Sequence, residues 1–113
     1  MTYSRLPTTP EPTPEAIAAM QGPAVLEFGA TWCGHCIAAQ PLVEAALAVR
    51  PGVPHMRVED GRGRRLGRAY RVTLWPTLVF LRDGIEQTRL IRPADLGDIE
   101  AALVRIDPAP GQA

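Results

Sequence analysis

The chain has 113 residues, 46% of them hydrophobic and 21% charged, enough for one domain with its own core. Twelve basic residues, all arginine, offset twelve acidic ones, so net charge supplies no attraction to nucleic acid or to an anionic membrane surface. Two cysteines are too few for a disulfide framework, no apolar run is long enough to span a bilayer, and the first residues lack a signal-peptide core; the expectation is a cytoplasmic monomer without membrane or nucleic-acid partners.

Residues 7–14 carry four prolines and read as an extended, mobile arm, so the chain divides into an arm over 1–13, a domain over 14–106 and a frayed tail over 107–113. Thr13 reads as an N-cap with Pro14 in the first helical position, which predicts a short helix over 15–20 that stops at Gln21-Gly22-Pro23. Residues 24–29 are almost continuously apolar and predict a buried strand. A helix follows over 33–49, bent at Pro41 because proline lacks the N–H and crowds the preceding turn.

The loop Pro51-Gly52-Val53-Pro54 leads to a short strand over 55–59. A helix over 62–70 is weakened by Gly63 and Gly67. Residues 77–81 form the strongest strand pattern in the chain, and Asp83-Gly84 turns it back into 85–91 as a hairpin. Leu96, Ile99, Leu103 and Ile106 recur at helical spacing and close the domain with an amphipathic helix over 94–106. The order βα, βα, β-hairpin, α predicts an α/β fold, a central mixed sheet with helices on both faces.

The chemistry lies in Trp32-Cys33-Gly34-His35-Cys36, which holds both cysteines of the chain. A strand that runs into a Cys-x-x-Cys turn opening a helix is a redox arrangement. Unpaired N–H groups and the positive end of the helix dipole favour thiolate over thiol at the first cysteine. The second lies one turn on, in reach of a disulfide bond to the first. Half of a zinc site is the competing reading, with His35 and His55 as the available imidazoles, but zinc takes four ligands and His35 lies between the cysteines. No metal or organic cofactor is expected.

Several separately placed features reinforce the motif: Pro41 five residues after Cys36, Pro76-Thr77 just before the strong strand, Asp83-Gly84 at the hairpin, and Glu27 six residues before Cys33. With them, residues 16–106 resemble the thioredoxin superfamily. The resemblance implies a thioredoxin-like fold and a thiol–disulfide oxidoreductase that exchanges its Cys33–Cys36 dithiol with protein disulfides. It also implies a cis bond before Pro76, facing the dithiol, and a buried carboxylate at Glu27. If the protein acts as a reductant, it implies recharging by a thioredoxin reductase.

Four residues depart from the thioredoxin pattern. His35 replaces a proline, and Cys-Gly-His-Cys resembles the active sites of protein disulfide isomerases. Glu27 replaces an aspartate, Trp75 a small or β-branched residue, and Arg92 a glycine of the substrate groove.

The resulting catalytic set is Cys33 as attacking thiolate, Cys36 as resolving thiol, Glu27 as acceptor of the Cys36 proton, and His35 as tuner of the couple. An unpaired Glu27 in an apolar strand should be protonated or served by water. A partly protonated His35 should place the potential between those of thioredoxin, about −270 mV, and disulfide isomerase, about −180 mV. The substrate surface is Trp32, Gly34, Trp75 and Pro76, with the Trp75 backbone free to pair with an extended chain. Arg57, Arg62, Arg64, Arg65, Arg68 and Arg71 read as a solvated face, with docking of an acidic partner as the functional alternative. Departures at Trp75 and Arg92 keep a second class of function open, an adaptor or chaperone that uses its dithiol little.

Overall fold

The computed structural model describes residues 3–108. Eight elements follow in order: α1 (Pro14–Ala18), β1 (Pro23–Gly29), α2 (Gly34–Ala48), β2 (His55–Glu59), α3 (Arg65–Ala69), β3 (Thr77–Arg82), β4 (Ile85–Ile91) and α4 (Leu96–Ile106). The four strands form one mixed sheet in the order β2-β1-β3-β4. β1 runs parallel to β2 and antiparallel to β3, and β3 pairs antiparallel with β4. This is the α/β architecture that the order of elements predicts.

The alternation of β1 divides the core into two layers. Val25 faces a cluster built with Ala39, Val43 and Leu47 of α2 and Ile99, Leu103 and Ile106 of α4. Ala24, Leu26 and Phe28 face the opposite layer, with Ile17 of α1 and Leu66 of α3. Helices therefore cover both faces, and Phe28 and Phe80, both fully buried, lie on opposite sides of the sheet. Truncating either to alanine removes about 3–5 kcal/mol of packing.

Local chemistry sets the element ends. Thr13 Oγ1 accepts from the Ala16 N–H at 3.0 Å and starts α1. Asp95 caps α4 by accepting from the Gly97 N–H at 2.8 Å, so that helix starts two residues later than its apolar spacing predicts. The helix predicted over 62–70 shrinks to Arg65–Ala69, because Gly63 adopts a left-handed φ of 75° that no right-handed helix contains. At the hairpin, Asp83 Oδ1 accepts from the Gly22 N–H at 2.8 Å. A Cβ on Gly84 would stand 2.5 Å from the carbonyl oxygen of Ala18, so glycine lets this turn lie against α1.

The described parts of both end segments, 3–13 and 107–108, make contacts with the rest of the chain. Tyr3 is buried in the α2–α4 layer, and Thr8 pairs with β2: its N–H donates to the Arg57 carbonyl at 2.7 Å, and its hydroxyl accepts from the Arg57 N–H at 3.0 Å. β2 is an edge strand with unpaired backbone groups, which is why an extended, proline-rich segment is held there. At the other end, Arg50 binds both the carbonyl and a carboxylate oxygen of Asp107. The remainder of the expected tail, 109–113, lies outside the described residues.

Candidate functional site

β1 carries the chain to the dithiol, and α2 begins there. Cys33 is the N-cap of α2, in an extended backbone conformation, and its Sγ accepts from the N–H of Cys36 at 3.3 Å. Both thiols are free and buried: Cys33 keeps 7% of its surface exposed and Cys36 none. A Cβ on Gly29 would come within 2.6 Å of Cys36 Sγ, so the glycine that ends β1 makes room for the second sulfur.

The two thiols are driven apart in acidity. For Cys33, desolvation is the largest single influence and pushes upward, but it is outweighed by hydrogen bonds from the Cys36 thiol and from the N–H groups of Cys36 and His35, and by the positive charge of Arg92; the result lies below the ordinary cysteine value. For Cys36, burial pushes the pKa up to about 12, and its hydrogen bond to Cys33 and the charge there add to the rise. His35 is exposed, and it is its peptide N–H that acts on the Cys33 sulfur.

Trp75 ties together the surroundings of the dithiol. It packs against Ala30, Cys33 and Cys36 and meets Trp32 edge-on with ring centroids 5.5 Å apart. Its indole N–H donates to Asp60 Oδ2 at 2.8 Å, and its carbonyl accepts from Arg92 Nε at 2.8 Å. The Trp75–Pro76 bond is cis, and Pro76 is buried. Trp32 is 73% exposed, and Ile37, Leu74 and Ile91 also present apolar surface. The expectation of a free Trp75 backbone is corrected at its carbonyl, where Arg92 is already a donor.

Glu27 is fully buried, and the expectation that it stands unpaired is wrong. Its Oε1 lies 2.7 Å from His55 Nε2 and its Oε2 3.4 Å from Arg57 Nη1. Arg57, grouped by sequence with a solvated face, is 2% exposed because its position in β2 lies directly opposite Glu27 in β1. Tyr3 completes the cluster: its ring stacks on His55 at 4.6 Å, and its hydroxyl lies 3.5 Å from Arg57 Nη1. Besides the charge at Cys33, which raises the Cys36 pKa, it is Arg57 of this cluster that acts on Cys36, and it opposes the rise.

Sequence reading missed His55, Arg57 and Tyr3 as members of this cluster and Asp60 as the anchor of Trp75. One signal was present. Glu27 in the middle of β1 and Arg57 in the middle of β2 are charges of opposite sign in neighbouring apolar strands, and a parallel crossover aligns them. No comparable pattern marks Tyr3. Among the described residues, no group of three or more His, Cys, Asp or Glu side chains could hold a metal ion, and no helix is long and apolar enough to cross a membrane.

This fold and this dithiol define a thiol–disulfide oxidoreductase, and similar proteins agree. The Thioredoxin family profile matches residues 6–105, and the chain belongs to that family. Thioredoxin 2 from Pseudomonas aeruginosa PAO1, solved in its reduced form, superposes with a TM-score of 0.78 at 46% identity, over 88% of this chain and 93% of that one. A thioredoxin of Chlamydia trachomatis serovar D is 34% identical over 70 residues, 62% of this chain and 69% of the relative. Protein disulfide-isomerase A2 of Pongo abelii is 41% identical over 73 residues, 60% of this chain but only 14% of that much longer protein.

Proposed function

We propose that the protein exchanges its dithiol with protein disulfides through Cys33 as nucleophile and Cys36 as resolving thiol. The observation that carries this reading is the opposite displacement of the two thiols: Cys33 lowered, Cys36 pushed up to about 12. A pair displaced in this way gives up its first proton from Cys33 and keeps the one on Cys36, so attack is ordered.

The Cys33 thiolate attacks one sulfur of the substrate disulfide. A Cys33–substrate disulfide forms, the substrate S–S bond breaks, and the departing sulfur takes up a proton. Cys36 then loses its proton and attacks Cys33 Sγ, which closes the Cys33–Cys36 disulfide and releases the second substrate thiol. Two electrons pass from protein to substrate; the two substrate sulfurs take up two protons, Cys36 gives up one and the Cys33 thiolate none, so the exchange draws one proton from solvent; the reverse sequence oxidises or, if interrupted, isomerises. Glu27 takes up the Cys36 proton. It is the carboxylate on the side of β1 that faces α2, the helix carrying Cys36.

Trp32, Gly34, Trp75 and Pro76 form the substrate surface, with the exposed Trp32 ring and its partner Trp75 as apolar contacts. His35 sets the potential of the couple. The protein works as a cytoplasmic monomer, and in the reducing direction a thioredoxin reductase restores the dithiol; sedimentation of the reduced protein and turnover with such a reductase and NADPH check both statements. Insulin reduction with dithiothreitol tests the central reading. Wild-type protein should accelerate precipitation, Cys33→Ser should abolish it, and Cys36→Ser should trap a mixed disulfide. Equal turnover by wild type and Cys33→Ser would reject it.

A further inference from the structure

Beyond Trp75 the surface turns cationic. Arg62, Arg64, Arg65, Arg68 and Arg71 are all exposed, and among the described residues none of their side chains makes an ion pair or hydrogen bond. Six of the seven other arginines are engaged: Arg5 with Glu44, Arg50 with Asp107, Arg57 with Glu27 and Arg89 with Glu86, while Arg82 and Arg92 hold backbone carbonyls; Arg105 stands apart on α4. A chain of zero net charge therefore concentrates uncompensated positive charge in one place, and that place adjoins the dithiol.

Arg62, Arg64 and Arg68 line a concavity of about 290 Å³ that Trp75 also lines. Trp75 packs against both cysteines, so the concavity continues the site rather than lying apart from it. Its one carboxylate, Asp60, is engaged by the Trp75 indole N–H and leaves the three guanidinium groups free for a partner.

We propose that this concavity is a docking site for carboxylate side chains of the substrate polypeptide, so that the protein prefers disulfides flanked by acidic residues. The proposal rests on the thiol-exchange reading above and adds the substrate class. Guanidinium groups bind carboxylates through two parallel hydrogen bonds, and a local positive field raises the encounter rate with an acidic chain. A single-stranded nucleic acid would need aromatic faces on which bases stack. The one aromatic of this lining, Trp75, is packed on the cysteines, edge-on to Trp32 and bonded to Asp60.

Turnover of three disulfide peptides that differ only in acidic, neutral or basic flanks tests the proposal, with bis(2-hydroxyethyl) disulfide as an uncharged reference. Wild-type protein at low salt should show kcat/KM for the acidic peptide about tenfold or more above the neutral one, mostly through KM, and the advantage should fade as salt shortens the Debye length. Arg62→Glu/Arg64→Glu/Arg68→Glu should reverse the preference toward the basic peptide and leave the uncharged disulfide within about twofold of wild type; the Lys triple variant should keep the acidic preference. Equal kcat/KM for the three peptides at low salt would overturn the docking site while leaving thiol exchange intact. Tight, salt-sensitive binding of a dT oligonucleotide without peptide discrimination would overturn it in favour of nucleic acid. Inactivity toward the uncharged disulfide as well would defeat the exchange reading and the docking site together.

Discussion

His55 Nε2 lies 2.7 Å from Glu27 Oε1, and both side chains are wholly buried. The Ser4 N–H donates to the other ring nitrogen, Nδ1, at 3.2 Å. A neutral ring with its proton on Nε2 satisfies both contacts, so the charge that balances Glu27 is that of Arg57, 3.4 Å from its second oxygen. A segment that looks like a loose arm thus fixes the tautomer of a residue behind the dithiol.

Removing one partner of a buried ion pair leaves the other charge uncompensated. Arg57→Met should therefore destabilise the protein by about 3–5 kcal/mol. Glu27→Gln/Arg57→Met should recover most of that loss, because glutamine keeps an acceptor for His55 and carries no charge. Urea unfolding of both single variants and the double variant measures the coupling; equal losses for Arg57→Met and the double variant would show that the charges do not balance each other.

Tyr3 extends the cluster into the alkaline range. Burial, then the Glu27 charge, push its phenol up to about 12, against smaller opposing effects of Arg57 and Arg5. The folded state favours the protonated phenol, so its contribution is complete below the unfolded value near 10 and is lost as pH climbs from there toward about 12. Tyr3→Phe should flatten the fall in unfolding free energy across that window, with a residual slope from Tyr70, whose pKa is also raised by burial. Urea midpoints on both sides of the window read the difference. A Tyr3→Phe profile parallel to wild type would place the titration elsewhere.

For the redox couple, the potential should fall between about −270 and about −180 mV. The influence of position 35 on Cys33 runs through its peptide N–H. His35→Ala keeps that donor and should leave the potential near wild type. His35→Pro deletes it and should weaken the Cys33 thiolate and make the couple more reducing. Equilibration with glutathione gives all three values. A full shift already in His35→Ala would return the tuning role to the imidazole.

The elements and their order were legible because strand and helix periods, caps and the Asp83-Gly84 turn are local signals. The dithiol was legible because Cys33 and Cys36 form a local motif. The buried cluster was not, since Glu27, His55, Arg57 and Tyr3 meet only when the parallel β1–β2 register and the returning N-terminal segment are in place. An arginine among several others gives no hint that one is turned inward; Arg57 differs from Arg62 only by where its strand lies. The contacts of the proline-rich stretch were hidden for the same reason: composition describes an isolated chain, and pairing of Thr8 with the edge of β2 is a tertiary event.

Arg92 joins the site at a backbone position that favours glycine. Its φ of 51° is left-handed, which costs a side-chain-bearing residue about 1 kcal/mol or more relative to glycine. Against that cost, the side chain bonds the Trp75 carbonyl, and its charge helps to lower Cys33. Arg92→Gly should therefore leave stability equal or raise it by about 1 kcal/mol, while the rate of Cys33 alkylation below pH 8 falls because the thiolate has lost a neighbouring cation. The lowered Cys33 pKa in the fold also means that this thiolate stabilises the reduced protein above the unfolded cysteine value, a contribution lost as pH falls through the folded value. Arg92→Gly should narrow that window from its acid side. Iodoacetamide kinetics against pH, read beside urea unfolding, separate the two effects: a variant with unchanged thiol titration would confine Arg92 to holding the Trp75 carbonyl.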